Sequence, residues 1–391
     1  MRLKDFCTLN PQYKGDDNYC EVSFVPMESL RNGTIDFQEI LFAEGKGKYT
    51  YFRDGDLLVA KVTPCFENGN IAIANDMKEG IGFGSSEIFV LRMDNKVLNT
   101  YMFYITQSSK FQDGACATMC GVGGLKRISP LFMRTYELDI PSLSVQQRMV
   151  DYLDEKLAKI DERIAVLEKQ KNAYARLKKS VIHQAVTRGL NPNVPLKDSG
   201  IEWIGMIPEH WEVFRFKDVY HKSNVGESID KEYCTDNETD YLFYTAGIIP
   251  IHTDFKEFPQ WKYTNRNDLL LARNGTSYVY LPIYHSVYSD HIIRVDIKKN
   301  FYRKYIRYCL QQAISKEIVD SVSIPTWSIP IWNIQLMPIP SFDEQQAIVG
   351  YLDDKCAKID NAIENIGKQI DASKRLKRAL INEVITGQRA V

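Results

Sequence analysis

The 391-residue sequence is short of several things, and each shortage excludes something. It has almost no net charge: 49 basic and 50 acidic residues leave −1, which is unlike a protein that holds nucleic acid by bulk positive charge. No apolar run can span a bilayer. The longest uncharged stretch, 321–342, carries Pro325, Pro330, Pro338 and Pro340, which break a helix. Met1-Arg2-Leu3-Lys4-Asp5 leads into polar sequence rather than the apolar core of a secretion signal. The 6 histidines are isolated, and among the 8 cysteines only Cys116-x-x-x-Cys120 is a close pair, so the residues supply no metal site and no nucleophile–base pair. Such scattered thiols read as reduced, in a cytoplasmic protein.

Catalytic motifs are missing as well. There is no G-x-x-x-x-G-K-[ST] phosphate cradle. Asn191-Pro192-Asn193-Val194 is not the [DN]-P-P-[YF] loop of an amino-methyltransferase. Gly121-Val122-Gly123-Gly124 reads as a turn, and Asp154-Glu155-Lys156 as solvated helix charge rather than nuclease ligands. What is left is a binding module with no catalytic residues and no cofactor of its own. Apolar residues at 44% and charged residues at 25% are ordinary for a globular chain with room for about two to three domains.

What is present is a duplication. Residues 140–187 align without gaps to 339–386 at an offset of 199, with 23 identities in 48 positions. Ile140-Pro141-Ser142 matches Ile339-Pro340-Ser341, Gln146-Gln147 matches Gln345-Gln346, and Ala158-Lys159-Ile160-Asp161 matches Ala357-Lys358-Ile359-Asp360. The preceding segments correspond more faintly. Asp56-Leu57-Leu58-x-Ala60-Lys61 matches Asp268-Leu269-Leu270-x-Ala272-Arg273, and Tyr101-x-x-Tyr104-x-x-Gln107 matches Tyr305-x-x-Tyr308-x-x-Gln311. The order is variable domain, shared block, variable domain, shared block.

The shared blocks read as long helices with a coiled-coil seam. In the first, Val150, Leu153, Leu157, Ile160, Ile164, Leu167 and Tyr174 alternate at steps of three and four, with Lys171 interrupting. In the second the seam is Val349, Leu352, Cys356, Ile359, Ile363, Ile366 and Ile370. Ser341-x-x-Glu344 is a capping box; in the first copy Val145 replaces the glutamate, and Ser144-x-x-Gln147 is the alternative cap. About 45 residues at ~1.5 Å each make a rod of about 65–70 Å. Neither helix can bury its seam alone. The economical partner is the other helix of the same chain; the rival is another copy or another protein. The variable halves read as mixed α/β. Strands are expected over 56–62, 268–273, 87–92 and 291–296, and helices over 100–111 and 302–315.

At these residues the chain resembles the specificity (S) subunits of type I restriction–modification systems. The resemblance rests on Ile339-Pro340-Ser341-Phe342-Asp343-Glu344-Gln345-Gln346, on Ile385-Thr386-Gly387, and on the linker from Val186-Thr187-Arg188-Gly189-Leu190 to Ile207-Pro208-Glu209-His210-Trp211-Glu212-Val213. Val145 departs from the pattern. Met1 aligns near Phe214, so the first variable domain has no counterpart of Ile207–Val213.

The resemblance implies an α+β fold: two pseudo-repeated α/β target-recognition domains, 1–141 and 191–340, joined by helical spacers 142–190 and 341–391 that form an antiparallel coiled coil. It implies a bipartite double-stranded DNA target, half read by each domain. It also implies docking of two methyltransferase subunits, which carry S-adenosylmethionine, and two restriction subunits, which use ATP and Mg. Two alternatives are a coiled-coil scaffold and a free-standing bipartite DNA-binding protein.

Base edges are read by Arg, Lys, Asn, Gln, Ser and Thr, whereas phosphate contacts only position the reader. In the first domain this selects Lys61, Thr63, Asn68 and Asn70 after the Asp56 strand, with Lys126 and Arg127 after the glycine-rich turn. In the second it selects Arg273, Asn274, Thr276, Ser277 and Tyr278, with Trp327 in the positional partner of that turn. Lys61 and Arg273 hold equivalent places. Divided along the repeat, the charge is −3 over 1–139, +4 over 140–189, −2 over 190–338 and 0 over 339–391. The isolated chain is therefore expected to bind DNA weakly, with most phosphate-neutralising charge supplied by partners.

Overall fold

Short runs of apolar residues flanked by turns become the buried strands. The computed structural model describes residues 1–15, 19–121, 124–235, 241–274, 278–314 and 326–391. The chain divides into two units. The first is Met1–Lys169 with Gly367–Val391, and the second is Gln170–Ile366. The long helices Leu143–Arg188, of 46 residues, and Phe342–Ile385, of 44, each contribute to both.

In the first unit, an antiparallel sheet has the spatial order Cys7–Leu9, Ile88–Met93, Leu57–Ala60, Ile71–Ile73. Leu57, Leu58, Val59 and Ala60 are all buried, because both faces are covered. One face packs on Tyr101, Met102 and Ile105 of the helix Asn99–Gln107, and on Val150, Leu153, Leu157, Leu380, Ile381 and Val384 of the long helices. The second unit repeats the plan: Tyr220–Val225, Ile292–Ile297, Asp268–Ala272, Val279–Tyr280 in that order. Its core includes Tyr305, Ile306, Cys309 and Leu310 of the helix Arg303–Ile314, with Ile348, Val349, Leu352, Ala185 and Val186 from the long helices. Each unit also has a second four-stranded sheet containing one parallel pair, Glu21–Val25 with Ile81–Gly84 and Tyr241–Tyr244 with Val287–Tyr288.

Repeated polar contacts hold these pieces together. Asp56 binds the Arg92 guanidinium through two bonds of 2.8 and 2.6 Å, and Asp268 binds Arg294 at 2.6 Å. Both carboxylates also accept a backbone N–H three residues upstream, from Arg53 and Asn265. Gln146 is fully buried. Its amide donates to the carbonyls of Lys96 (2.8 Å) and Pro141 (2.9 Å), and its oxygen accepts from Leu98 N–H (2.9 Å). Gln345 does the equivalent with Pro340 O (2.9 Å) and Tyr302 N–H (2.8 Å). Tyr104 donates to Asp154, and Tyr308 donates to Asp353 at 3.0 Å. Within the first unit Lys377 binds Asp161 at 2.7 and 2.8 Å; within the second Lys178 binds Asp360 at 2.6 and 2.7 Å.

Four expectations need adjustment. The helix expected over 100–111 is two, Asn99–Gln107 and Ser109–Ala117, because Ser108 turns extended and its Oγ accepts Phe111 N–H at 3.4 Å. The first long helix is not capped by Ser144 and Gln147. It begins at Leu143, the Ser142 carbonyl accepts the amides of Val145 and Gln146, and Gln147 reaches forward to Asp151. The Ser341–Glu344 box forms as expected, with Ser341 N–H on Glu344 at 3.2 Å and Glu344 N–H on Ser341 Oγ at 3.3 Å. The seam is uneven: Leu153, Leu157, Leu167, Leu352, Cys356, Ile359, Ile366 and Ile370 are buried, Ile160, Ile164 and Ile363 half-buried, and Tyr174 is exposed. Finally, the contact-dense units do not separate the spacers from the variable domains. Each variable half packs on the start of one long helix and the end of the other, so the division falls in mid-helix.

Candidate nucleic-acid interface

In the first unit the buried strand ends at Ala60, and the next residue, Lys61, is pinned by the backbone on both sides. Lys61 N–H donates to Glu87 O (3.0 Å), and its carbonyl accepts Ile128 N–H (2.9 Å). Thr63 closes the loop: its N–H donates to Lys126 O (3.0 Å), its hydroxyl donates to Gly124 O (3.0 Å) and accepts Lys126 N–H (2.9 Å). The Arg127 guanidinium grips the Glu87 carboxylate at 2.7–3.2 Å, and those hydrogen bonds hold Glu87 below the usual carboxylate range. The Lys61 ammonium sits 5.2 Å from the Phe89 ring centre, half-buried; burial pushes its pKa down, and Glu87 works against that. Lys126 and Asn68 are exposed. Asn70 is interior, 7% exposed, because the chain turns back there into the sheet.

The second unit builds the same frame. Arg273 N–H donates to His291 O (2.8 Å), and Arg273 O accepts Trp327 N–H (2.6 Å). The isolated antiparallel bridge of Val62 with Arg127 recurs as Asn274 with Thr326. Different side chains hang on it. Arg273 Nη1 donates to Asp290 O at 3.0 Å, and Asn274 Nδ2 lies 3.0 Å from His291 Nδ1. Tyr278 OH accepts from Arg307 Nη2 at 3.1 Å. Trp327 is buried, 4% exposed, with its ring 5.2 Å from that of Trp332. Thr276 and Ser277 lie outside the described residues.

Lys61, Thr63, Lys126 and Arg127 are thus brought together, as are Arg273, Asn274 and the backbone of Trp327. Burial withdraws the side chains of Asn70 and Trp327 from any surface that a duplex can reach. Two partners escaped the sequence reading, Glu87 and His291. They open the strands expected at 87 and 291, and the repeat places them in correspondence, but only the fold sets them beside Lys61 and Arg273. Lys61, Glu87 and Arg127 offer two cations around a carboxylate; Arg273, Asn274 and His291 offer a cation, an amide and an imidazole. Such groups recognise base edges and phosphates.

The chain presents one strand-end frame twice, with different side chains on each. It belongs to the family of the type I restriction modification DNA specificity domain, whose model matches residues 1–173 and 208–371. Similar proteins include the EcoAI and EcoEI type I restriction enzyme specificity subunits of Escherichia coli. They are 32% identical over 152 residues and 34% over 154, each match covering 38% of this chain and 26% of the relative. The matched part thus spans about a quarter of those relatives. A longer match, 22% identical over 329 residues, covers 78% of this chain and 74% of the MjaVIII specificity subunit of Methanocaldococcus jannaschii. A solved chain from a study of type I R-M complex assembly and conformational transition superposes with a TM-score of 0.77 at 15% identity, over 98% of this chain and 96% of that one. The HsdS subunit of Thermoanaerobacter tengcongensis gives 0.52 at 16%, over 100% and 96%. At these identities the likeness is one of fold. Among the described residues, no helix is long and apolar enough to cross a membrane.

Proposed function

We propose that this chain is the DNA sequence-specificity subunit of a type I restriction–modification complex, itself without catalytic residues. Each variable domain, 1–141 and 191–340, reads one half of a bipartite duplex target. The carrying observation is the frame built twice, at Lys61 and at Arg273, with non-identical side chains on each copy. A split, asymmetric target needs such a pair. The readers are Lys61, Thr63, Asn68, Lys126 and Arg127 in one domain, and Arg273, Asn274 and Tyr278 in the other. The spacers at 142–190 and 341–391 pair as an antiparallel coiled coil. That pairing is supported by the matching seams and by two ion pairs related by the repeat, Asp161 with Lys377 and Lys178 with Asp360. The chain works in the cytoplasm, docking two methyltransferase subunits that supply S-adenosylmethionine and two restriction subunits that supply ATP-driven cleavage.

Arg273→Ala tests the reading. Loss of a base contact costs about 1–3 kcal/mol of site-specific binding. Expressed with its methyltransferase partner, the variant is expected to relax or abolish one half of the methylated motif and leave the other intact. An unchanged motif and unchanged affinity in the assembled complex would remove Arg273 from the readers. Failure to co-purify with a methyltransferase subunit would favour the scaffold or free-standing alternatives.

A further inference from the structure

We propose that Ile248 and Ile249 are an apolar reading element of the second unit, recognising thymine in its half of the DNA target by the 5-methyl group. The inference rests on the function proposed above and adds a chemistry that the polar frame at Arg273 does not supply. The two side chains stand next to each other on one loop, 58% and 80% exposed. Ile283 and Tyr284, on the turn between Val279–Tyr280 and Val287–Tyr288, are each more than half exposed as well. A lone exposed apolar side chain is ordinary, but a group of large ones on neighbouring loops marks a contact surface.

The loop that carries the pair is held in place. Tyr280 OH donates to Gly247 O at 2.6 Å and lies 3.2 Å from Thr245 O, and Thr245 Oγ1 accepts Gly247 N–H at 3.3 Å. Pro250 keeps the backbone of Ile249 extended. The neighbouring turn hangs on the same rings: Ile283 N–H donates to Tyr244 OH at 3.2 Å, and Tyr244 meets Tyr280 edge to face at 5.5 Å.

Tyr280 also joins this surface to the frame. It pairs with Leu270 of the buried strand, and its ring lies 4.7 Å from that of Tyr278. The Tyr278 carbonyl accepts the amide of Ala272, the residue before Arg273. One tyrosine therefore touches a reader with its ring and the backbone beside Ile248 with its hydroxyl. That span covers a few base pairs at ~3.4 Å each. In the major groove the apolar group a base offers to an aliphatic side chain is the thymine methyl. Arg266 is exposed, with its guanidinium 5.7 Å from the Tyr284 ring, and places a cation for phosphate at the edge of the surface. The first unit treats the same place differently. After Glu21–Val25, the counterpart of Tyr241–Tyr244, Leu30 is buried and Met27 half-buried in a core with Val25 and Phe52. The apolar tip thus distinguishes one half-site reader from the other.

The test uses the complex with its methyltransferase partner and the bipartite motif found by methylome sequencing. Duplexes carry thymine, or deoxyuridine in both strands of one half-site at a time, and affinity is read by fluorescence anisotropy. Removing a buried methyl weakens binding about fourfold. Deoxyuridine in the half that Arg273→Ala alters is expected to weaken the wild-type complex about fourfold or more. The double variant Ile248→Ser, Ile249→Ser is expected to bind both duplexes alike, about as weakly as the wild type binds deoxyuridine. Both side chains are exposed, so hydrogen-exchange protection in Asp268–Ala272 should be unchanged. Undiminished discrimination in the double variant, or none in the wild type, overturns the proposal, while an Arg273→Ala effect leaves the frame standing. Loss of co-purification with the methyltransferase subunit in the double variant identifies a protein-docking surface and also overturns it. Absence of sequence-specific binding by the wild-type complex removes the parent reading and this one together.

Discussion

Gln146 is the joint between the first long helix and the variable domain packed on its start, and removing it should loosen that joint locally. Gln146→Ala strips partners from three part-buried backbone groups: the carbonyls of Lys96 and Pro141 and the amide of Leu98, which opens the helix Asn99–Gln107. A buried group left without a partner costs about 1–3 kcal/mol; these groups are only part-buried and water reaches them, so the total should stay near about 1–3 kcal/mol. Gln345→Ala strips partners from two groups, Pro340 O and Tyr302 N–H, the first of them buried, and should cost a comparable amount. Because two units make a single unfolding free energy ill-defined, the measurement is amide hydrogen exchange on the full chain. In Gln146→Ala the Leu98 amide should lose protection while Tyr302 keeps its own; in Gln345→Ala the pattern reverses. Gln146→Glu keeps an acceptor for Leu98 but sets a carboxylate against two carbonyls, and should be no better than alanine. Retained protection at Leu98 in Gln146→Ala would refute the assignment of the joint to these bonds.

Other perturbations follow from the same repeated contacts. Arg294→Ala should destabilise the second unit by about 3–5 kcal/mol, since it strands the buried Asp268 carboxylate. Arg92→Ala should cost less, because Arg92 is partly solvated, and amide hydrogen exchange in the strands Leu57–Ala60 and Asp268–Ala272 would rank the two. Glu344 loses solvation by burial, yet hydrogen bonds from His210, Ser341 and Trp211 outweigh this and hold its carboxyl below its ordinary 4.5. A depressed carboxyl stabilises the fold fully above that ordinary value, and the contribution fades as pH falls through the lower folded value. Glu344→Gln should therefore flatten the acid limb of a melting-temperature profile; an unchanged limb would show that other carboxylates carry it. Asp161→Ala removes an exposed ion pair with Lys377 and should change stability by no more than about 1 kcal/mol, with a smaller effect in high salt.

Which parts of this protein were legible from residues alone depends on whether a local or a tertiary cause places them. The strands at 57–60 and 268–272 and the two long helices follow from apolar spacing, and the repeat then ties Lys61 to Arg273. The break at Ser108 was not legible, because apolar spacing runs through it and only the extended turn and its cap interrupt the helix. Nor was the burial of Trp327, whose polar neighbours Thr326 and Ser328 suggest a surface loop until Trp332 closes over it. The larger gap concerns pairing. Glu87 and His291 begin corresponding strands, but nothing local says that one meets Arg127 and the other Asn274.

On the proposed reading, that difference bears on how one frame serves two half-sites. A carboxylate can accept a hydrogen bond from the cytosine amino group, whereas an amide pairs with adenine and a guanidinium with guanine. Glu87 is neutralised by Arg127, so a base that needs the carboxylate must compete with that ion pair, and the first domain should discriminate through its acceptor. In the second domain no carboxylate stands at the equivalent place, and Asn274 is held by the His291 ring. Glu87→Gln turns a pure acceptor into a donor and acceptor and frees Arg127 at the same step. If the frame reads bases, this variant should alter the half of the methylated motif that Arg273→Ala leaves untouched. A change in the same half for both variants would mean that the two frames do not divide the target between them.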